Sequence, residues 1–239
     1  MNLRIFIILL TFIQFSFILT ADKTTTIFIA GDSTAARRDT KNNNPERGWG
    51  QILQNYFNQN FVVVDNRAIG GRSSKSFIGE GRWDAILKKM KKGDYAIIQF
   101  GHNDGAKDEN KHTDPDTTFL EYLTKYATDT IKHGGIPILM SPVSRRTWKN
   151  GVFDEGSKGY KKGAETVAKK LKVHFVDAYT ITKKVIVNLG EEGSKKLFMI
   201  SEGKNDNTHY TIYGATTTAK LLAEALVKEV PELAKYHKK

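Results

Sequence analysis

The chain has 239 residues, 39% of them hydrophobic and 10% aromatic, a composition that excludes disordered and collagen-like architectures and suits a globular protein with a sizeable core. The absence of cysteine removes disulfide scaffolds, thiolate metal sites, Cys nucleophiles and thiol-linked lipid anchors together, so any chemistry must come from oxygen and nitrogen side chains. A formal net charge of +11 suits a polyanionic partner, whether nucleic acid, lipid headgroups or an acidic polysaccharide, without choosing among them.

Residues 1–21 read as an export signal, because Arg4 precedes an apolar run over residues 5–19 and the small residues Thr20 and Ala21 offer a cleavage site. That run carries Thr11, Gln14 and Ser16 and falls short of the roughly 20 residues that span hydrocarbon, which argues against a stable membrane anchor. The expectation is a secreted or periplasmic protein whose residues 22–239 form one domain, since neither an internal repeat nor a Pro/Gly/Ser linker divides them. Apolar runs at residues 25–30, 61–64, 95–100, 136–140 and 173–176 predict strands covered on both faces. Helices are predicted at residues 50–59, 82–92, 117–133, 158–172 and 213–230; in the last, Leu222, Leu226 and Val230 recur on one face before Pro231 ends it. This alternation predicts a parallel α/β sheet. Residues 101–115 and 142–156 read as long loops beyond the carboxyl ends of strands, where such sheets bind ligands.

The first strand runs into Gly31-Asp32-Ser33-Thr34, which sets a hydroxyl at a strand's carboxyl end and fits either a nucleophile or a helix cap. Near the C-terminus, Asp206 stands three residues before His209, a carboxylate able to orient an imidazole base. Serine needs such a base to lose its proton, so Ser33, His209 and Asp206 meet the requirement for acyl transfer. Oxyanion donors are available in the Gly70-Gly71 turn, through the Gly71 backbone N–H, and in Gly101-His102-Asn103-Asp104, through the Asn103 amide. The other histidines, His102 included, read as structural or exposed.

Taken together, these residues resemble the SGNH hydrolase superfamily, the GDSL esterases, whose four named residues match Ser33, Gly71, Asn103 and His209. The stretches at residues 31–35, 48–51, 66–74, 100–104 and 206–209 are similar to the rhamnogalacturonan acetylesterase branch, with Thr34 in place of the leucine of the eponymous motif. The resemblance implies a flavodoxin-like three-layer α/β/α sandwich with a five-stranded parallel sheet. It implies a Ser33, His209, Asp206 triad and an oxyanion hole from the N–H groups of Ser33 and Gly71 and the Asn103 amide, with no metal or organic cofactor. The implied reaction removes acetyl groups from an acetylated, acidic pectic polysaccharide through an acetyl-enzyme.

Asp32, Arg72, Arg145 and Arg146 are candidate substrate contacts, as is Trp49, whose ring could stack on a sugar. Three alternatives stand beside this reading: an esterase of the same fold acting on xylan, another glycan or a lipid ester; a noncatalytic polysaccharide-binding protein; and a divalent-metal site from Asp104, Asp108, Asp114, His102 and His112. Nucleotide-binding glycine motifs are missing, so no nucleic-acid or nucleotide partner is expected.

Overall fold

A computed structural model describes residues 24–156 and 158–238; the expected leader over residues 1–21 lies outside them. The five apolar runs form strands β1 (Thr25–Gly31), β2 (Val62–Asn66), β3 (Tyr95–Gln99), β4 (Ile136–Met140) and β5 (His174–Val176). They make one sheet in the order β2-β1-β3-β4-β5, with every neighbouring pair parallel. This is the flavodoxin-like order, and its topological switch point lies between β1 and β3, where a crevice opens beyond the carboxyl ends.

Helices α1 (Trp49–Ile52), α2 (Ser74–Gly79), α3 (Arg82–Leu87), α4 (Thr118–Lys132), α5 (Lys158–Leu171), α6 (Ala178–Gly193) and α7 (Ile212–Glu229) cover both faces. Successive β1 side chains point to opposite sides. Ile27 and Ile29 enter a core with Trp49 of α1, Ile186 of α6 and Leu222 of α7. Phe28 and Ala30 enter a second core with Phe77, Trp83, Phe119 and Ala164 from α2 to α5. The central strands are thus buried on both faces and read as apolar runs, whereas the edge strands β2 and β5 carry Asp65, Asn66 and His174 and are only partly buried.

Several elements depart from the sequence pattern. The helix expected at residues 50–59 is α helical only through Ile52 and then tightens into a 3-10 turn, Leu53–Tyr56. Gln54 explains the change, because its amide bonds Val62 O and Val64 N and draws the chain along β2. Helix α6 was not anticipated, since Thr180, Ile181, Thr182, Val185 and Ile186 are β-branched and mask the period of buried Tyr179, Thr182 and Ile186. Its start was legible: Asp177 caps it by accepting from Thr180 N at 3.0 Å. The loop at residues 142–156 also contains a small hairpin, Trp148–Lys149 paired with Val152–Phe153.

Two contacts tie the segment before α1 to its surroundings. Glu46–Arg47, just before α1, pairs antiparallel with Tyr210–Thr211 at the start of α7. Beside this pair Gly48 lies so close to the preceding segment that a Cβ would stand 2.2 Å from Ala36 O, a distance no side chain tolerates.

Candidate active site

β1 ends at Gly31, paired with Gln99 of β3, and the next two residues lead to Ser33 at the switch point. Ser33 Oγ lies 2.9 Å from Nε2 of His209, 176 residues later. On the other side of that ring, Nδ1 lies 2.7 Å from Asp206 Oδ2. Asp206 Oδ1 accepts from the backbone N–H groups of Thr208 and His209, both at 2.9 Å, so the carboxylate builds the turn that carries the imidazole. Burial opposes ionisation of Asp206, but these two N–H groups and the His209 ring outweigh it and hold the carboxyl below the usual range. An anionic Asp206 accepts a hydrogen bond from Nδ1–H, which leaves Nε2 to accept one from the Ser33 hydroxyl.

The groups expected as oxyanion donors stand on this loop and on the neighbouring ones. Gly71 adopts φ +77°, a left-handed conformation that suits glycine. Among the described residues neither its N–H nor that of Ser33 has a hydrogen-bond partner. The Asn103 amide gives one N–H to Arg72 O at 3.0 Å, which fixes its plane and leaves the other free. Asn103 also lines a cavity of about 360 Å³ over the ends of β3 and β4, with His102, Pro142, Arg145, Tyr160 and Tyr179 on its walls.

A buried polar network supports the serine loop. Asp32 is fully buried and accepts from Thr34 N at 2.9 Å, Thr34 Oγ1 at 2.8 Å and Gln99 Nε2 at 3.4 Å. His102 joins it, with Nδ1 3.0 Å from Asp32 Oδ2 and Nε2 2.9 Å from Val143 O, and so ties the loops after β1, β3 and β4 together. Burial works against the Asp32 charge, but the facing His102 ring and the Thr34 donors prevail and keep its carboxyl low. Asp104 faces inward too, accepting from Ser74 N at 3.0 Å and Gly101 N at 2.9 Å; burial pushes its carboxyl up to about 6.

These contacts correct several expectations from the sequence. Asp32 is an internal anchor and, sealed from solvent, touches no substrate. Trp49 is likewise 0% exposed, with Nε1 bonded to Gln99 Oε1, so its ring packs the core and cannot stack on a sugar. Arg146 is buried and fully engaged: Nη1 bonds Asn207 Oδ1 at 2.8 Å, Nη2 bonds Glu191 O at 2.6 Å and its N–H bonds Asn207 O at 2.9 Å. It holds the Asp206–His209 turn from below and does not reach outward. Arg145 is exposed at the cavity rim and donates to His102 O at 3.0 Å, and Arg72 is half-buried, bonded to Gly70 O and Glu80. Of the residues weighed as metal ligands, His102 and Asp104 have the partners above, Asp108 pairs with Lys111, Asp114 caps the turn before α4, and His112 bonds Ala106 O. Among the described residues no cluster of three or more such groups could hold a metal ion.

A family model described as GDSL-like Lipase/Acylhydrolase family matches residues 29–192, a span that includes Ser33, Gly71 and Asn103. The chain belongs to the GDSL-like lipase/acylhydrolase family. It is a carboxylic ester hydrolase of the SGNH type, and two of its curated relatives are named as acetylesterases. It is 39% identical over 84% of its length to "Probable rhamnogalacturonan acetylesterase YesY" of Bacillus subtilis (strain 168), covering 91% of that protein. It is 36% identical to "Rhamnogalacturonan acetylesterase RhgT" of the same organism, over 84% of this chain and 88% of that one. Among solved structures, the Bacillus subtilis protein YXIM superposes with a TM-score of 0.77 at 27% identity, over 87% of this chain and 57% of that one. An acetylxylan esterase variant from Geobacillus stearothermophilus, at 18% identity and TM-score 0.60 over 87% of this chain and 96% of that one, shares the GDSL-like fold. Asp206 and His209 lie beyond the matched span, and geometry alone brings them to Ser33.

Proposed function

We propose that this hydrolase removes acetyl groups from a rhamnogalacturonan-type pectic polysaccharide, using Ser33 as nucleophile, His209 as base and Asp206 as its orienting carboxylate. The observation that carries the reading is the unbroken relay from Asp206 Oδ2 through both ring nitrogens of His209 to Ser33 Oγ. The names and extent of the relatives support the substrate class.

In the proposed mechanism Ser33 Oγ attacks the acetyl carbonyl as its proton passes to His209 Nε2, and Asp206 stabilises the imidazolium that forms. The developing oxyanion accepts from the N–H groups of Ser33 and Gly71 and from the free Asn103 N–H, three donors that need no reorganisation. Collapse of the tetrahedral intermediate breaks the bond to the sugar oxygen, which takes the proton from His209 and leaves an acetyl-serine. A water molecule, deprotonated by His209, then attacks the acetyl carbon and releases acetate with Ser33 restored.

Residues 1–21 serve in this reading as a leader that sends the esterase domain, residues 22–239, outside the cytoplasm. Among the described residues no helix is long and apolar enough to cross a membrane.

The test measures acetate released from acetylated pectin and acetylated xylan side by side. Pectin is expected to be the better substrate, and Ser33→Ala should lower turnover on it by roughly 10⁴-fold or more with the fold intact. Equal rates on both glycans would remove the pectic assignment, and a Ser33→Ala variant that keeps most of its activity would remove the nucleophile.

A further inference from the structure

A second concavity, of about 290 Å³, flanks Ser33 on the side away from the Asn103 cavity, beyond the carboxyl ends of β1 and β2. Four arginines line it, Arg37, Arg38, Arg67 and Arg82, and no carboxylate does. Two of its lining residues, Arg38 and Gly70, lie against Ser33. Arg38 Nη2 donates to Ser33 O at 2.8 Å, and a Cβ on Gly70 would stand 3.7 Å from Ser33 Cβ and 4.0 Å from Arg38 Nη1.

The charges around this cleft do not cancel. Glu46 pairs with Arg38 and Asp65 with Arg67, while the single carboxylate of Glu80 serves both Arg72 and Arg82. Arg37 is exposed and has no hydrogen-bond or ion-pair partner among the described residues. The four lining guanidinium groups thus meet three carboxylates, one of which also serves Arg72 outside the lining, and the excess opens into a concavity whose Gly70 wall lies beside Ser33. Guanidinium forks match carboxylates in shape as well as charge, and such pairs are strongest where walls exclude part of the solvent.

We propose that this cleft is a subsite for a carboxylate-bearing sugar, a uronate unit of the same glycan whose acetyl group reaches Ser33, with Arg37 and Arg82 as its charge-recognising residues. The inference rests on the acetylesterase reading above and deepens it: the cleft selects the ionised glycan, and the crevice between β1 and β3 performs the chemistry. Arg38 and Arg67 are each held by a carboxylate of their own and shape its walls, whereas Arg82 shares the Glu80 carboxylate with Arg72.

The experiment compares kcat/KM on acetylated rhamnogalacturonan oligosaccharides with free carboxylates and on the same material after methyl esterification of those carboxylates. The native enzyme is expected to favour the free acid by about tenfold, the scale of one charge-assisted contact. Arg37→Gln should reduce that preference, Arg37→Gln with Arg82→Gln should nearly abolish it, and Arg37→Lys should restore part of it. Lys132→Gln removes the same charge at the amino edge of the sheet and should leave the preference in place. An undiminished preference in the double variant, or an equal loss in Lys132→Gln, would overturn the subsite.

Titration calorimetry with a deacetylated galacturonate trisaccharide separates this inference from the esterase reading, because it needs no catalysis. Binding that weakens in the double variant, in a protein that hydrolyses no acetyl ester, would keep the subsite and sink the esterase. Acetate release that is indifferent to carboxylate esterification would do the reverse.

Discussion

The two arms that meet at Ser33 are built differently. The serine arm is anchored from beneath by the sealed network of Asp32, His102, Gln99 and Thr34, whose members come from the ends of adjacent strands. The histidine arm lies nearer the surface: Asp206 and His209 sit on a short turn that is held by its own carboxylate, by Arg146 and by one antiparallel pair. Disturbing the first should therefore cost stability before rate, whereas disturbing the second should cost rate before stability. The Ser33 loop is thus braced from the sheet itself, whereas His209, 176 residues away in the chain, is braced by its own turn.

The largest effect is expected from the histidine arm. Asp206→Asn keeps much of the turn's geometry but removes the anion that selects the His209 tautomer, so kcat should fall by about 10⁴-fold with little change in Tm. A drop of less than tenfold would mean that the ring is oriented by something else. Arg146→Met should lower kcat by roughly 10- to 100-fold with a smaller change in KM, because the turn shifts beneath a base that must lie within bonding reach. An unchanged kcat would show that the turn holds itself.

The serine arm should respond the other way. His102→Gln leaves the Asp32 carboxylate buried with a weaker partner, and a loss of about 3 kcal/mol, or roughly 10 °C in Tm, is expected from thermal unfolding. A large kinetic loss in a variant of native stability would reverse the contrast between the arms. The smallest effect concerns pH. Burial lifts the Asp104 carboxyl to about 6, above its unfolded value, so its contribution to stability is fully present below about pH 4 and is lost as the pH rises through about 6. Asp32 and Asp206 are shifted downward and act in the opposite sense, losing their contribution on acidification. The stability difference between the native protein and Asp104→Asn should therefore shrink as pH rises from about 4 to about 7; parallel Tm curves would remove the linkage.

Most of the sheet was legible because a strand covered on both faces carries a short apolar run, a local property visible in a window of about five residues. Helix α6 was not, because its β-branched residues carry a local preference that tertiary packing overrides. The same division runs through the site. Ser33, the Gly70-Gly71 turn and the Asp206–His209 pair each read as well as a cap or a turn when taken singly, and only the resemblance carried by five ordered stretches joined them into an expected site. Arg145 and Arg146 are adjacent and chemically identical, and nothing local says that one lies at a cavity rim while the other is buried under Asn207. Trp49 reads equally well as a sugar platform or as a core residue until the Gln99 side chain is found against its ring nitrogen.

The sequence by itself determined the strand runs, the turn chemistry and the kinds of groups available for acyl transfer, since these depend on neighbours within a few residues. Only the tertiary structure decided which polar side chains were sealed into the scaffold and which were left facing solvent. It alone carried His209 across the chain to Ser33, because burial and long-range contact belong to the packed sheet and its crossovers and not to any segment taken alone.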